Sequence, residues 1–186
     1  DPGSPVYFTA HLDHPAFVVE RVIAPSALEL AFRGGVMDDY FPGARVEVIT
    51  NDDKRLPGTI AEQTDPTTES PYKHYLCELD EPAEDITTSD IARWLLPEPS
   101  VENGIIYTHA CDDLAAAACA MLAMDRVRAE RAEGKHKADV RILFTRAEEV
   151  GFIGALAVVH HGTVPKDAKV IALENSRAMT LARSEE

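Results

Sequence analysis

The chain has 186 residues, 45% of them apolar, which is enough for one moderate domain or for a domain that carries a small insertion. Its 18 basic and 32 acidic side chains give a net charge of -14 with no visible basic patch, so the composition argues against a nucleic-acid partner. No apolar run approaches the roughly 18 residues of a membrane-spanning helix, and no segment resembles a secretory signal. The sequence therefore predicts a cytoplasmic protein with no membrane partner.

The first apolar segment, residues 6–10, contains β-branched and aromatic side chains and is expected to form a buried strand that ends at His11. Short segments of alternating apolar and polar residues then follow, separated by turn signals, which is typical of antiparallel strands. We therefore interpret residues 20–100 as a small all-β domain, inserted into a second domain that residues 1–19 and 101–186 form.

The pattern changes again after residue 100. A strand-like segment at 104–110 comes first, and Asp112 and Asp113 can cap the helix expected from 114 to about 133. The remaining segments alternate in type: a strand at 140–145, a helix at 152–160 and a strand at 168–173. This β-α-β-α-β order predicts an α/β fold whose sheet is mainly parallel.

Four groups of polar side chains share one position, because each follows an apolar strand at the point where the strand ends. The groups are His11 with Asp13, Asp112 with Asp113, Glu148 with Glu149, and Glu174. In open α/β sheets ligands bind at the carboxyl ends of the strands, so distant segments can form a single crevice there. We expect the four groups to converge on one site.

The residue types indicate metal-assisted hydrolysis. Imidazole and carboxylate ligands suit Zn, Mn or Co, and a carboxylate such as Asp112 can bridge two ions. Asp13 is expected to project to the same side as His11 and to accept the second imidazole N–H, which would orient the ring. If Glu149 is a metal ligand, Glu148 is free to act as the base that takes a proton from a metal-bound water.

Three blocks of the sequence resemble those of a known family. They are TAHLD at 9–13, CDDL at 111–114 and TRAEEVGFIGA at 145–155. In this order they are similar to the H-x-D, DD and EEVG-x-x-GA blocks of the clan MH metallo-aminopeptidases, most closely the M42 glutamyl and deblocking aminopeptidases, with M28 and M20 as relatives. The resemblance implies a three-layer α/β/α domain, an inserted barrel-like β domain through which the protein forms homo-oligomers, and the removal of amino-terminal residues from peptides.

The resemblance also implies a site with two divalent metal ions, Zn first and Co or Mn as alternatives. His11, Asp112 and Glu174 would hold one ion, and Asp112 and Glu149 the other. Glu148 would be the general base. The peptide bond between Asp112 and Asp113 is expected to be cis.

The sequence departs from the family pattern in three places. Glu174 stands where the family usually has Asp, and Leu114 stands where it has Arg. A final His ligand is expected far downstream, beyond Glu186, and a segment before the first strand is missing as well. We interpret the chain as a fragment; the alternatives are that a nearby imidazole such as His109 replaces the ligand, or that the second metal site is empty.

Two other functions stay open at this point. One is an amidase or deacylase of the same clan that acts on a small non-peptide substrate. The other is a non-catalytic assembly or binding protein with a degraded site, for which Leu114 and the missing His argue. Substrate preference is not defined either, because Arg146 and Arg177 near the site can attract an acidic side chain or pair with neighbouring carboxylates.

The three cysteines are predicted to be structural. Cys77, Cys111 and Cys119 form no C-x-x-C pair, and two of them flank an Ala-rich helical segment. We therefore expect reduced thiols in the core.

Overall fold

The computed structural model describes residues 3–65 and 69–175 of the chain. The chain divides into two compact units, one formed by Asp1–Asp13 with His109–Glu186 and the other by His14–Thr108. We call the first the α/β unit and the second the β unit. The described parts contain eleven strands and two α-helices, so the α/β class expected from the sequence is confirmed.

The bounds of the elements in chain order are as follows. The strands are β1 (Val6–His11), β2 (Ala16–Ala24), β3 (Ala27–Arg33), β4 (Arg45–Ile49), β5 (Arg55–Thr64), β6 (His74–Leu79), β7 (Ile91–Trp94), β8 (Ser100–Glu102), β9 (Ile105–Tyr107), β10 (Val140–Thr145) and β11 (Lys169–Ala172). The helices are α1 (Cys111–Ala132) and α2 (Ile153–His160), and a short 3-10 turn covers Asp38–Tyr40.

The β unit is built around a closed antiparallel barrel of six strands in the order β2-β3-β6-β5-β4-β7. Alternation of apolar and polar residues along these strands sends one set of side chains inward, where Phe17, Phe32 and Phe41 pack with ring centroids 5.0 to 6.0 Å apart. The ring of Tyr75 stacks on Phe41 at 4.4 Å. The main hydrophobic core of the described residues lies inside this barrel. Strands β8 and β9 form a separate antiparallel pair.

The α/β unit has a parallel three-stranded sheet in the order β10-β1-β11. In the register of this sheet His11 stands beside Thr145, and Thr9 stands beside Ala172. All three strands therefore end at the same edge. Short apolar strands with helices between them favour this parallel arrangement. Each helix returns the chain to the amino-terminal ends of the strands, so the next strand runs in the same direction as the last.

The start of α1 places two carboxylates at that edge. The peptide bond between Asp112 and Asp113 is cis, as the family resemblance implies, and both residues have non-helical backbone angles. Regular helical geometry begins at Leu114, whose N–H donates to the carbonyl of Ala110 at 3.1 Å. The small buried residue Ala117 lies on the helix where it packs against the sheet.

Burial differs from the prediction for two of the cysteines. Cys77 is a free thiol inside the barrel, but Cys111 and Cys119 are exposed, so the expectation of three core thiols was wrong. The reason is that both lie on α1, whose inner face is formed by Ala117 and Ala120. No helix among the described residues is long and apolar enough to cross a membrane.

Candidate metal centre

Three carboxylates surround one imidazole at the carboxyl edge of the parallel sheet. His11 is the last residue of β1 and is buried. Its Nε2 atom lies 3.1 Å from Oδ1 of Asp112, 3.7 Å from Oε1 of Glu174 and 3.8 Å from Oε2 of Glu148. The structure thus brings together residues that are up to 163 positions apart in the sequence (174 minus 11).

The second ring nitrogen of His11 orients the imidazole. Nδ1 lies 3.0 Å from the carbonyl oxygen of Asp13, and because a carbonyl can only accept, Nδ1 donates this bond. Nε2 therefore faces the carboxylates: it donates to Oδ1 of Asp112 at 3.1 Å when protonated, and it is the nitrogen that would ligate a metal ion once that proton is lost. The sequence predicted that the Asp13 carboxylate would accept this proton, but its Oδ1 lies 3.7 Å away. The backbone accepts it instead because Asp13 lies beyond the end of the strand.

The carboxylate of Asp13 contacts the turn that carries the acidic pair. Its Oδ1 accepts the backbone N–H of Glu148, and its Oδ2 accepts the backbone N–H of Glu149, each at 3.1 Å. One side chain therefore satisfies two successive amides that would otherwise lack partners at the end of β10.

The turn itself depends on a close approach to the start of α2. Ala147 has a φ of 58°, in the left-handed region, and reverses the chain just before Glu148. The N–H of Gly154 donates to the carbonyl of Arg146 at 3.0 Å. A Cβ atom at position 154 would lie 2.2 Å from that carbonyl oxygen, so no residue larger than glycine fits without moving the backbone.

A fully buried carboxylate links the elements that carry the other site residues. Oδ2 of Asp113 accepts the backbone N–H of His11 at 3.2 Å, and Oδ1 accepts a bond from Nδ2 of Asn175 at the same distance. Nδ2 of Asn175 also donates to the carbonyl of Cys111 at 2.5 Å. These bonds hold the segment after β11, and with it Glu174, next to the start of α1.

Burial and neighbouring carboxylates raise the pKa of two carboxyl groups of the site, Glu149 and Glu174. Burial, followed by the charge of Glu148, raises the pKa of Glu149 to about 7. Burial and the neighbouring Asp112 also raise the pKa of Glu174. Burial alone would lower the pKa of His11, but the bond to the backbone carbonyl and the charges of the carboxylates outweigh it and raise the value. The site therefore favours bound protons, or a cation in their place.

Two groups of donor atoms have the spacing that a metal ion needs. In the first, atoms of His11, Asp112 and Glu174 all lie within 4.8 Å of one another, and in the second the same holds for His11, Glu148 and Glu149. This mixture of nitrogen and oxygen donors fits Zn, Mn or Co. The first group is the ligand set that the family resemblance implies for one ion. The two groups have His11 in common, whereas the resemblance implies that the two ions share Asp112 as a ligand.

An apolar cavity adjoins these donors inside the α/β unit. Its volume is about 490 Å³, and His11, Glu148 and Glu174 line it. The remainder of its lining is mostly apolar and comes from the strands and from α2, for example Leu143, Val159, Val170 and Leu173.

The other residues singled out from the sequence have mixed positions. His109 is partly buried but belongs to neither donor group formed by the described residues. Leu114 is exposed, and nothing in the structure explains why it replaces Arg. Arg146 is exposed, and Arg177 lies outside the described residues.

Sequence reasoning missed the roles of Asn175 and Gly154. Asn175 follows Glu174 directly, but an amide side chain carries no signal of its own until its partners Asp113 and Cys111 are known. Gly154 is one of the glycines of the third block, and its place in that motif was the one sign in the sequence that the position matters.

Comparison with known proteins identifies the family. The model of the M42 glutamyl aminopeptidases matches residues 2–180 of the chain. The chain belongs to the M42 family. No curated protein matches the sequence significantly.

Solved structures share the fold of this M42 chain. An aminopeptidase from the archaeon Desulfurococcus kamchatkensis is 22% identical with a TM-score of 0.73, over 100% of this chain and 52% of that one. A TET aminopeptidase from a marine-sediment Thaumarchaeota archaeon has the same identity and TM-score, over 98% and 54%. A TET1 peptidase from Pyrococcus horikoshii, which assembles into a tetrahedron or a large octahedral shell, is 21% identical with a TM-score of 0.70, over 94% and 54%. The chain spans about half the length of these proteins.

Proposed function

We propose that this M42 chain carries the metal-binding part of an aminopeptidase that removes amino-terminal residues from peptides by metal-assisted hydrolysis. The observation that carries the proposal is the pair of donor groups that meet at His11, at the carboxyl edge of the parallel sheet. A cluster of one imidazole and several carboxylates with raised pKa values has little structural value by itself, because like charges repel. Two divalent cations would neutralise it.

His11, Asp112 and Glu174 would hold the first ion, and Glu149 with Asp112 the second, with zinc as the first choice of metal. The ions would polarise the scissile carbonyl and lower the pKa of an attacking water. The raised pKa of Glu149 supports its assignment as a ligand, because a carboxyl that is buried beside like charges gains most from a cation.

Glu148 would be the general base. It belongs to the second donor group, its Oε2 lies 3.8 Å from Nε2 of His11, and its backbone is held by Asp13. From there its carboxylate can take a proton from the attacking water and return it to the amine that leaves. The apolar cavity beside Glu148 offers space for the first side chain of the peptide.

The finer architecture belongs to the same proposal. We infer that the α/β unit is an α/β/α catalytic domain with a mainly parallel sheet, and that the β unit is an inserted domain through which the protein forms homo-oligomers. The bounds expected from the sequence, 1–19 with 101–186 and 20–100, shift to 1–13 with 109–186 and to 14–108, because β2 begins at Ala16 within the barrel and β9 ends at Tyr107. The oligomeric TET peptidases of the same fold support the last point. A cytoplasmic location stays a prediction.

Metal reconstitution of the natural full-length protein tests the function. The protein is stripped of metal, reloaded with Zn, Co or Mn, and assayed against a panel of aminoacyl-anilides, N-acylated amines and small amides. We expect metal-dependent release of free amino acids, and Glu148→Gln should lower kcat by about 10²- to 10⁴-fold with metal content unchanged. Full activity of Glu148→Gln, or cleavage of the amides alone, would contradict the proposal.

A further inference from the structure

Asp13 uses two different parts of its structure for two different contacts. Its backbone carbonyl accepts the bond from Nδ1 of His11 at 3.0 Å, while its side-chain oxygens accept the N–H groups of Glu148 and Glu149. We propose that the Asp13 carboxylate is a positioning group that clamps the backbone of the Glu148–Glu149 turn and thereby sets both carboxylates relative to His11. The inference rests on the proposed function and deepens it.

The geometry of the clamp explains why an ionised carboxylate is needed. Two successive amides point to two oxygens of one side chain, so both the position and the rotation of the turn are determined. An ionised carboxylate accepts at both oxygens and forms hydrogen bonds about twice as strong as neutral groups do. The two bonds hold the backbone of the turn in one arrangement although like charges gather there, those of Glu148, Glu149 and Asp13 itself.

Substitution of the Asp13 side chain separates the two contacts. Every substitution retains the backbone carbonyl, and with it the bond that orients His11. Asparagine keeps one acceptor oxygen but presents an NH₂ group to the second amide, so it can satisfy Glu148 or Glu149 but not both. The effect of Asp13→Asn should therefore fall on the acidic turn and leave the imidazole in place.

The matched control lies at the other end of β10. The carboxylate of Asp139 accepts two bonds from Arg141, at 3.0 Å from Nε and 2.7 Å from Nη2. Asp139→Asn makes the same chemical change in the same unit, but far along the strand from the donor groups. It should leave the acidic turn and the activity unchanged.

Amide hydrogen exchange of the metal-free full-length protein tests the clamp without any catalysis. In Asp13→Asn we expect the amides of Glu148 and Glu149 to exchange roughly tenfold faster or more, with the amides of β1 unchanged. Asp13→Glu keeps the charge and both acceptors and should restore part of the protection. Equal exchange in wild type and Asp13→Asn would overturn the inference, as would equal loss in the Asn and Glu variants. If Asp13→Asn does not fold, wild type is compared with Asp13→Glu, and identical protection of the Glu148 and Glu149 amides in these two proteins then overturns the inference.

Kinetics and metal binding give a second readout. Asp13→Asn should lower kcat roughly 10- to 100-fold at a nearly unchanged KM, and should weaken the ion held by Glu149 more than the ion held by His11 and Glu174. A change in KM alone, or equal weakening of both ions, would contradict a positioning role. If the wild-type protein shows no metal-dependent cleavage, the proposed function fails, and the exchange experiment still decides whether the clamp exists.

Discussion

The β unit and the α/β unit both bury glutamates, but they surround them with opposite charges. In the barrel, Glu29 lies between Nδ1 of His74 at 2.8 Å and Nε of Arg21 at 2.9 Å. Burial would raise the pKa of Glu29, but the bonds to His74 and Arg21 outweigh it and lower the value. In the α/β unit, burial and the charge of Glu148 raise the pKa of Glu149 to about 7.

On the proposed function, the difference separates a structural carboxylate from a metal-binding one. Glu29 has a hydrogen-bond partner at each of its two oxygens. Its partner His74 is in turn hydrogen-bonded through Nε2 to Oγ of Ser70 at 2.9 Å. Glu149 has carboxylates around it, and the opposing charge is that of His11. The second arrangement does not favour folding, which agrees with the proposal that Glu149 is a metal ligand.

The largest expected effect comes from removing the paired glutamate. Glu29→Ala leaves the buried His74 and the half-exposed Arg21 without their acceptor. We expect a loss of about 3 kcal/mol in the free energy of unfolding, the low end for a broken buried pair, because solvent reaches Arg21. Denaturant unfolding measures this loss, and metal affinity should not change. Glu62→Ala, an exposed position on β5, is the control and should change stability by less than about 0.5 kcal/mol. Loss of metal binding in Glu29→Ala would remove the distinction between the two units.

Two tightly packed glycines, one in each unit, allow the units to be compared by matched substitutions. A Cβ at Gly154 would meet the carbonyl of Arg146 at 2.2 Å, and a Cβ at Gly58 in the barrel would meet the carbonyl of Glu78 at 2.8 Å. Both alanine variants should lose about 1–3 kcal/mol of stability. Gly154→Ala alone should also lower kcat and metal affinity, because it displaces the turn that carries Glu148. Unchanged kcat in Gly154→Ala, or lowered kcat in Gly58→Ala, would contradict this assignment.

The smallest effect is a pH dependence of opposite sign in the two units. The lowered pKa of Glu29 stabilises the fold above the usual glutamate pKa near 4.5, and this contribution is lost as the pH falls. The raised pKa of Glu149 acts in reverse: its contribution is present below about pH 4.5 and is lost as the pH rises through about 7. Metal-free Glu149→Gln should therefore be more stable than wild type at pH 8 by about 1–2 kcal/mol, allowing for partial exposure.

Unfolding measured from pH 5 to 8 checks this prediction. The wild-type protein without metal should lose stability relative to Glu149→Gln across this range, and saturation with zinc should reverse the order. Parallel stability curves for the two proteins would show that Glu149 is not destabilised by its neighbours.

The sequence by itself determined the local chemistry and much of the element pattern. The apolar segment before His11, the alternation in the barrel strands and the helix after Asp113 follow from residue type and spacing, and the structure has these elements close to the predicted positions. The three motif blocks pointed to the M42 family, which the family comparison confirms. Local patterns are enough to predict these elements, because hydrophobic periodicity and helix capping depend on residues only a few positions apart.

Tertiary structure alone decided which atoms meet. The four-residue strand β7 closes the barrel between β2 and β4, and its sequence is too short to predict that pairing. The placement of β1 between β10 and β11 brings His11 to Asp112 and Glu174. The contacts of Asp13 divide between its carbonyl and its carboxylate only because β1 ends two residues earlier. Such contacts depend on three-dimensional distances between remote segments, which residue spacing along the chain does not encode.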